Sequence, residues 1–367
     1  MRKSKLERIV RNALNTRRYS IPLVAATIAA MGCIPEESAD VSSEGRYVAF
    51  TANYDGEFDC GEDAKRVVWY DLETDRLKVF DENSRVWWLA VSPRGVLYNV
   101  EDEPLEIKGE LDGKRIEIPR AGYADIGNRV LVYTRVLNDN DGVLEIVRNG
   151  RTLHTDIHGT FAKLSPNGKR IAYLTFPRDD KKVRLEVLGI DGKNRKTIAS
   201  LNELHEVANI RWADDDHLIF GMTTQYTGDD VELFCADCTN GKIEQLTNDD
   251  LENFFGDKVE GEYYFIGYEK GQETRSQNRE IYAMRNSNGI WAVRKLGLEA
   301  SFFKFFGEDK RGIVWANDNG VFVGELDDLE NRVNLIDILK ARLASQPTTQ
   351  PASQPTSQPA NESETSR

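Results

Sequence analysis

From residue 41 onward the hydrophobic positions fall into short runs rich in Val, Ile, Tyr and Phe, each opened by a turn. Seven stretches share this grammar: SSEGRYVAFT, SPRGVLYNV, DIGNRVLVYT, SPNGKRIAYLT, ADDDHLIFGMT, VEGEYYFIGY and DKRGIVWAN. Aligned on the turn residues Gly45, Gly95, Gly127, Gly168, Asp216, Gly261 and Gly312, they recur at steps of 32 to 51 residues. Gly, Asp and Asn suit the turn because they tolerate positive φ. The β-branched and aromatic residues that follow suit a strand.

Each copy has a second half, an alternating strand, a tight turn and a further strand. The instances are VVWYDLETDRLKVF (67–80), LEIKGELDGKRIEI (105–118), LEIVRNGRTLHT (144–155), LEVLGIDGKNRKTI (185–198), ELFCADCTNGKIEQLT (232–247), IYAMRNSNGIWAVRKL (281–296) and VFVGELDDLENRVNLI (321–336). Asn-Gly and Asp-Gly between such runs are hairpin signals. Two hairpins every ~44 residues make one four-stranded unit, the period of a propeller blade. A single unit cannot bury both faces, whereas a ring of them can. Stacked β-sandwich domains would instead repeat at ~100 residues. The pattern therefore predicts an all-β fold, a β-propeller over 40–337. Seven blades is the count; six or eight remain open because the second copy is short.

SPNGKRIAYLT followed by LEVLGIDGKNRKTI resembles the repeat of TolB-type propellers, which also builds the propeller of prolyl-oligopeptidase-like enzymes. The resemblance runs through 41–336 and implies the fold far more than any function. The catalytic domain of those enzymes is not matched: no GxSxG motif occurs, and no α/β segment remains to hold one.

The ends of the chain read differently. Residues 1–18 are basic, 19–32 (YSIPLVAATIAAMG) are apolar and small, and Cys33 follows. This is the layout of a secretory signal, and the apolar run is too short to span a bilayer of ~30 Å. AAMGC resembles the lipobox of bacterial lipoproteins, with Ala30 where that pattern usually has Leu. The resemblance implies a signal peptide over 1–32, lipidation of Cys33, a tether over 33–39 and an extracytoplasmic, membrane-anchored location. At the other end, NLIDILKARLA places Leu335, Leu339 and Leu343 on one helical face, predicting a short terminal helix through 338–344. Residues 345–367 are a low-complexity Ser/Thr/Gln/Pro tail that cannot offset its ordering entropy by burial.

Charge narrows the partners. The chain carries −13 overall; the first 32 residues hold a net +6, leaving −19 for the rest. Such a body repels nucleic acid and anionic lipid, so membrane contact is expected through the lipid anchor alone.

The search for chemistry yields no catalytic set, cofactor or metal site. No glycine-rich phosphate loop occurs. His154 and His158 have i, i+4 spacing, but on a strand they stand ~13 Å apart, so they read as loop histidines rather than ligands. NDNDG (138–142) has oxygen ligands but lacks the distal Glu of a calcium loop, since position 148 is Arg; it reads as a polar hairpin turn. Cys235 and Cys238 in CADC are compatible with a disulfide, with a redox pair or with plain thiols at a strand end. A zinc ribbon would need a second such pair.

Longer insertions fall between the second and third strands of several units: 52–65, 176–182, 223–230 and 268–278. They should emerge on one face and collect acids with aromatics, making Tyr54, Asp55, Phe58, Asp59, Tyr226, Asp229, Asp230 and Tyr268 a candidate binding face. The expected function is a lipid-anchored, extracytoplasmic, non-enzymatic platform for an envelope protein or glycan. The alternative is a propeller hydrolase or lyase that acts on polysaccharide through carboxylates of that face. A purely structural envelope component is the third reading.

Overall fold

The computed structural model describes residues 39–335, apart from 43, 54–63, 83–85, 101–104, 128, 139–140, 176–181, 203–206, 224–230, 250, 270–278, 288–289, 301, 307–309 and 318–319. Seven four-stranded antiparallel sheets follow one another along the chain, each built from four consecutive strands. They span 39–81, 86–119, 121–158, 160–202, 207–245, 251–299 and 302–334, and are called blades 1 to 7. Every predicted repeat coincides with one blade: the Gly or Asp turn joins the inner and second strands, and the second half forms the third and outer strands. The second strand ends, and the third begins, at the end of each blade opposite those turns.

Local chemistry shapes the turns. In blade 4, Ser165 Oγ accepts from the N–H groups of Lys169 (3.2 Å) and Arg170 (3.0 Å), and Gly168 N–H donates to Ser165 O (2.7 Å) at φ +64°. Blade 1 repeats this with Ser42 and Gly45 (φ +73°). In blade 5 Asp214 takes over the role of Ser, accepting from Asp216 and His217 N–H at 2.8 and 2.9 Å.

The core lies between blades. Seven clusters of buried apolar side chains each join two neighbouring blades, one cluster per interface around the ring. Among the described residues no strand crosses from one end of the chain to the other: blade 1 is made wholly from 39–81 and blade 7 wholly from 302–334. Among the described residues side chains close the ring, chiefly Val41, Val48 and Phe50 against Phe302, Val314 and Val323.

Three expectations change. Cys235 and Cys238 are buried free thiols. Their odd spacing sends them to opposite faces of blade 5, Cys235 toward blade 6 and Cys238 toward blade 4. Burial pushes both thiols up, Cys238 to about 12. His154 and His158 lie in the outer strand of blade 3, Arg151–His158, rather than in a loop. Tyr268 is a strand residue only 4% exposed, with the Arg279 guanidinium 5.4 Å over its ring, so it belongs to the packed blade and not to a loop surface. The other seven candidate-face residues, Cys33, Cys60 and the terminal helix lie outside the described residues. The NDNDG segment is a hairpin, with Asn138 paired to Asp141.

Candidate functional site: the axial cavity

The seven inner strands converge on the propeller axis. In the strand register one inner-strand position recurs, the partner of the third residue of the second strand: Asp40, Ala90, Asp125, Lys163, Arg211, Asp257 and Lys304. Three acids and three bases thus share one level of the inner strands.

The acids act as clamps between blades. Asp40 accepts from its neighbour Val41 N–H (2.9 Å) and, with its other oxygen, from Val91 N–H of blade 2 (2.9 Å). Asp125 accepts from Ile126 N–H (2.9 Å) and from Leu164 N–H of blade 4 (2.7 Å). Asp257 accepts from Lys258 N–H (2.7 Å) and, more loosely, from Phe305 N–H of blade 7 (3.4 Å). Each carboxylate satisfies an inner-edge amide that has no strand partner. Two are also ion-paired, Asp40 with Lys304 at 2.6 Å and Asp257 with Lys310 at 2.9 Å. Asp125 has no ion pair among the described residues. Desolvation raises its carboxyl above the usual range, opposed by the charge of nearby Lys163 and the Leu164 amide.

Arg211 sends Nη1 to Phe303 O at 2.7 Å and lays its guanidinium 5.1 Å over the Phe302 ring, bracing blade 5 against blade 7. Lys163 reaches toward blade 2, with Nζ 5.5 Å from the centre of the Trp88 ring.

The inner strands of blades 2 to 6 each carry one extra residue relative to the second strand. Such bulges bend a strand and re-aim a side chain. In blades 3 and 4 the bulge region holds Tyr123 and Phe161, at φ +48° and +53°. A bulky non-glycine residue in that region is a genuine outlier and persists only where its surroundings fix it. The two rings pack at a centroid distance of 4.0 Å. Asn99, fully buried in blade 2, holds the first bulge: Nδ2 donates to Ala121 O and Oδ1 accepts from Tyr123 N–H, both at 3.2 Å. Asn99→Ala should therefore cost ~2 kcal/mol by leaving two buried backbone groups unpaired. Thermal unfolding would show the loss, and tyrosine near-ultraviolet dichroism would report release of the ring pair.

These residues enclose a cavity of about 970 Å³ on the axis, to which the inner strands of all seven blades contribute. Its lining holds seven Lys or Arg and five Asp, so it is net basic inside a body that is strongly acidic. Arg129, Arg148 and Lys169 are exposed, line the cavity from the turn face, and form no ion pair among the described residues. No group of three or more His, Cys, Asp or Glu suited to a metal ion occurs among the described residues.

None of these axial residues was singled out by sequence reasoning. A signal was present: an ionisable residue two to eight positions before the turn residue in six of seven copies, with apolar neighbours on both sides in all but Asp257. Its meaning depends on knowing that the strands share one axis.

No protein-family model matches the sequence, and a search of curated proteins finds no match. Solved structures do match. The β-propeller domain of the Trilobed protease from Pyrococcus furiosus, described as having an open velcro topology, aligns with a TM-score of 0.53 at 11% identity. The alignment covers 82% of this chain and 95% of that one. A prolyl endopeptidase aligns with a TM-score of 0.56 at 14% identity, over 88% of this chain and 51% of that one. A structure described as TolB from Agrobacterium tumefaciens gives a TM-score of 0.43 at 13% identity, over 66% and 93% of the two chains. The likeness is one of fold. At these identities the match extends to architecture and no further.

Proposed function

We propose that this chain is a non-enzymatic binding platform that acts outside the cytoplasm, tethered through Cys33, with the axial cavity as its ligand seat. The observation that carries the reading is the convergence of all seven inner strands on one cavity lined by fixed aromatic and charged side chains. Concave, largely preformed sites of ~300–1,000 Å³ are where ligands are held. Its three inner-strand carboxylates clamp neighbouring blades, and two of them are also ion-paired with lysines. The partner class is an envelope protein or glycan. The loop residues Tyr54, Asp55, Phe58, Asp59, Tyr226, Asp229 and Asp230 would add contacts at the opposite end of the blades.

A hydrolase or lyase is the competing reading. One observation favours it: Asp125 is held above the ordinary carboxylate range, as a general acid would be. The test is a crosslinking pull-down of the full chain from its own membranes, beside a variant with the exposed mouth residues Arg129→Trp and Lys169→Trp. Capture of a partner by the wild type, diminished by the mouth variant and without turnover of that partner, is the expected result. Turnover of a captured saccharide or peptide that disappears in Asp125→Asn would overturn the platform reading.

A further inference from the structure

Resting on the cavity as the ligand seat, we propose that its ligand is an acidic oligosaccharide, a chain of sugar rings bearing carboxylates. Three independent observations point there.

The first is charge. The body repels anions at long range, yet the cavity carries seven cations against five carboxylates. Two of the seven, Lys304 and Lys310, are neutralised by Asp40 and Asp257. Arg129, Arg148 and Lys169 at the mouth are not paired among the described residues, and Lys163 deeper in is balanced only by Asp125, with no ion pair formed. A recessed patch of one sign within low-dielectric walls focuses its field on a ligand of the opposite sign. Two of the five acids already hold hydrogen-bond partners: Asp214 Oδ1 lies 2.8 Å from His217 Nδ1, and Asp215 accepts from Asn167 N–H at 2.9 Å.

The second is the aromatic floor. Tyr123 and Phe161 are presented by strained backbone, against each other, in the cavity wall. Trp88 of the adjacent blade 2 belongs to the cluster that Tyr123 packs against, with Lys163 Nζ 5.5 Å from the centre of its ring. Flat apolar rings beside cations match a pyranose, whose C–H face stacks on an aromatic ring while its carboxylate and hydroxyls reach outward to hydrogen-bond donors.

The third is what the walls do not offer. A peptide that bound by strand addition would need free inner-edge amides. At the clamp level those of Val41, Val91, Ile126, Leu164, Lys258 and Phe305 are already taken by Asp40, Asp125 and Asp257. Recognition there must run through side chains, which suits a saccharide better than an extended peptide.

The experiment is calorimetric titration of the full chain with trigalacturonate. Two comparison probes are the same trisaccharide with its carboxylates reduced to alcohols, and a penta-glutamate peptide. Trigalacturonate should bind, weaken with added salt, and bind at least tenfold more weakly to Lys163→Gln. Arg148→Gln with Lys169→Gln, both exposed, should leave the melting temperature unchanged and flatten the salt dependence. Phe161→Gly, which the positive φ accommodates without strain, should abolish binding while the fold persists. Equal binding of the reduced trisaccharide, binding of penta-glutamate alone, or no binding of trigalacturonate at millimolar concentration would overturn the proposal. The two readings separate cleanly. A partner captured through the mouth with no trigalacturonate affinity sinks the saccharide and leaves the platform. Trigalacturonate bound and cleaved sinks the platform and leaves the ligand class.

Discussion

Phe306→Ala is expected to lower stability by ~3 kcal/mol, the range for losing a large aromatic from a packed site. The ring sits at the seam where blade 7 meets blade 1. A Cβ on Gly45 of blade 1 would lie 1.8 Å from Phe306 Cδ2, and one on Gly312 of blade 7 would lie 2.1 Å from Cε2. Two glycines therefore form a slot, and the phenyl ring fills it. The effect should be large because, among the described residues, no shared strand closes this ring. The seam depends on the apolar cluster around Val41, Phe50, Phe302 and Val314 and on the Asp40–Lys304 pair. Gly45→Ala should also destabilise, through the clash and through its φ of +73°. In the Phe306→Ala background the clash is gone, so only the backbone cost of ~1 kcal/mol should remain. A double-mutant cycle by urea unfolding measures that coupling. Additive effects would mean that the slot does not hold the seam.

Glu186→Gln is expected to cost ~2–3 kcal/mol near neutral pH, and the cost should shrink in acid. Glu186 is 1% exposed on the third strand of blade 4. It accepts from Tyr173 OH (2.8 Å), Arg195 Nε (2.6 Å) and Thr197 Oγ1 (3.0 Å). Tyr173 is fully buried, so a Gln amide turned toward its hydroxyl or toward Arg195 leaves a donor facing a donor. The figure stays moderate because the Arg195 side chain is 47% exposed and screened by solvent. Burial pushes the Glu186 carboxyl up, but the bonds from Arg195 and Tyr173 more than offset it, and the folded value lies below the ordinary one. A depressed carboxylate stabilises the fold above its unfolded value of ~4.3 and loses that contribution as pH falls through the folded value. Wild type and variant should therefore diverge most above pH ~5 and converge well below ~4. Denaturant unfolding across that window checks the sign; a gap that widens in acid would refute the assignment.

Glu186 belongs to a series of Leu-Glu or Val-Glu pairs in the third strands of successive repeats. In blades 3, 4 and 5 the acid is buried: Glu145 between Arg135 and His154, Glu186 as above, and Glu232 with Thr247 and Asn253. The recurring Glu could be read from the sequence, but its burial could not. A strand acid in an alternating pattern looks solvent-facing until the next blade covers it.

The period, the number of blades, the four strands in each and their turn chemistry all came from the chain alone. These properties are local. A Ser or Asp caps its own turn, Gly168 supplies its own positive φ, and alternation assigns each residue to a face of its own sheet. The unpaired state of Cys235 and Cys238 lay one step further out, since it follows from which neighbouring blade each thiol meets. The axial cavity, the bulges that present Tyr123 and Phe161, and the Phe306 seam needed the closed ring. Asp40 and Lys304 are 264 positions apart and meet because seven blades of this width return the chain to its start. A sequence specifies such a contact only through the summed twist and packing of every blade between its partners, and no local pattern records that sum.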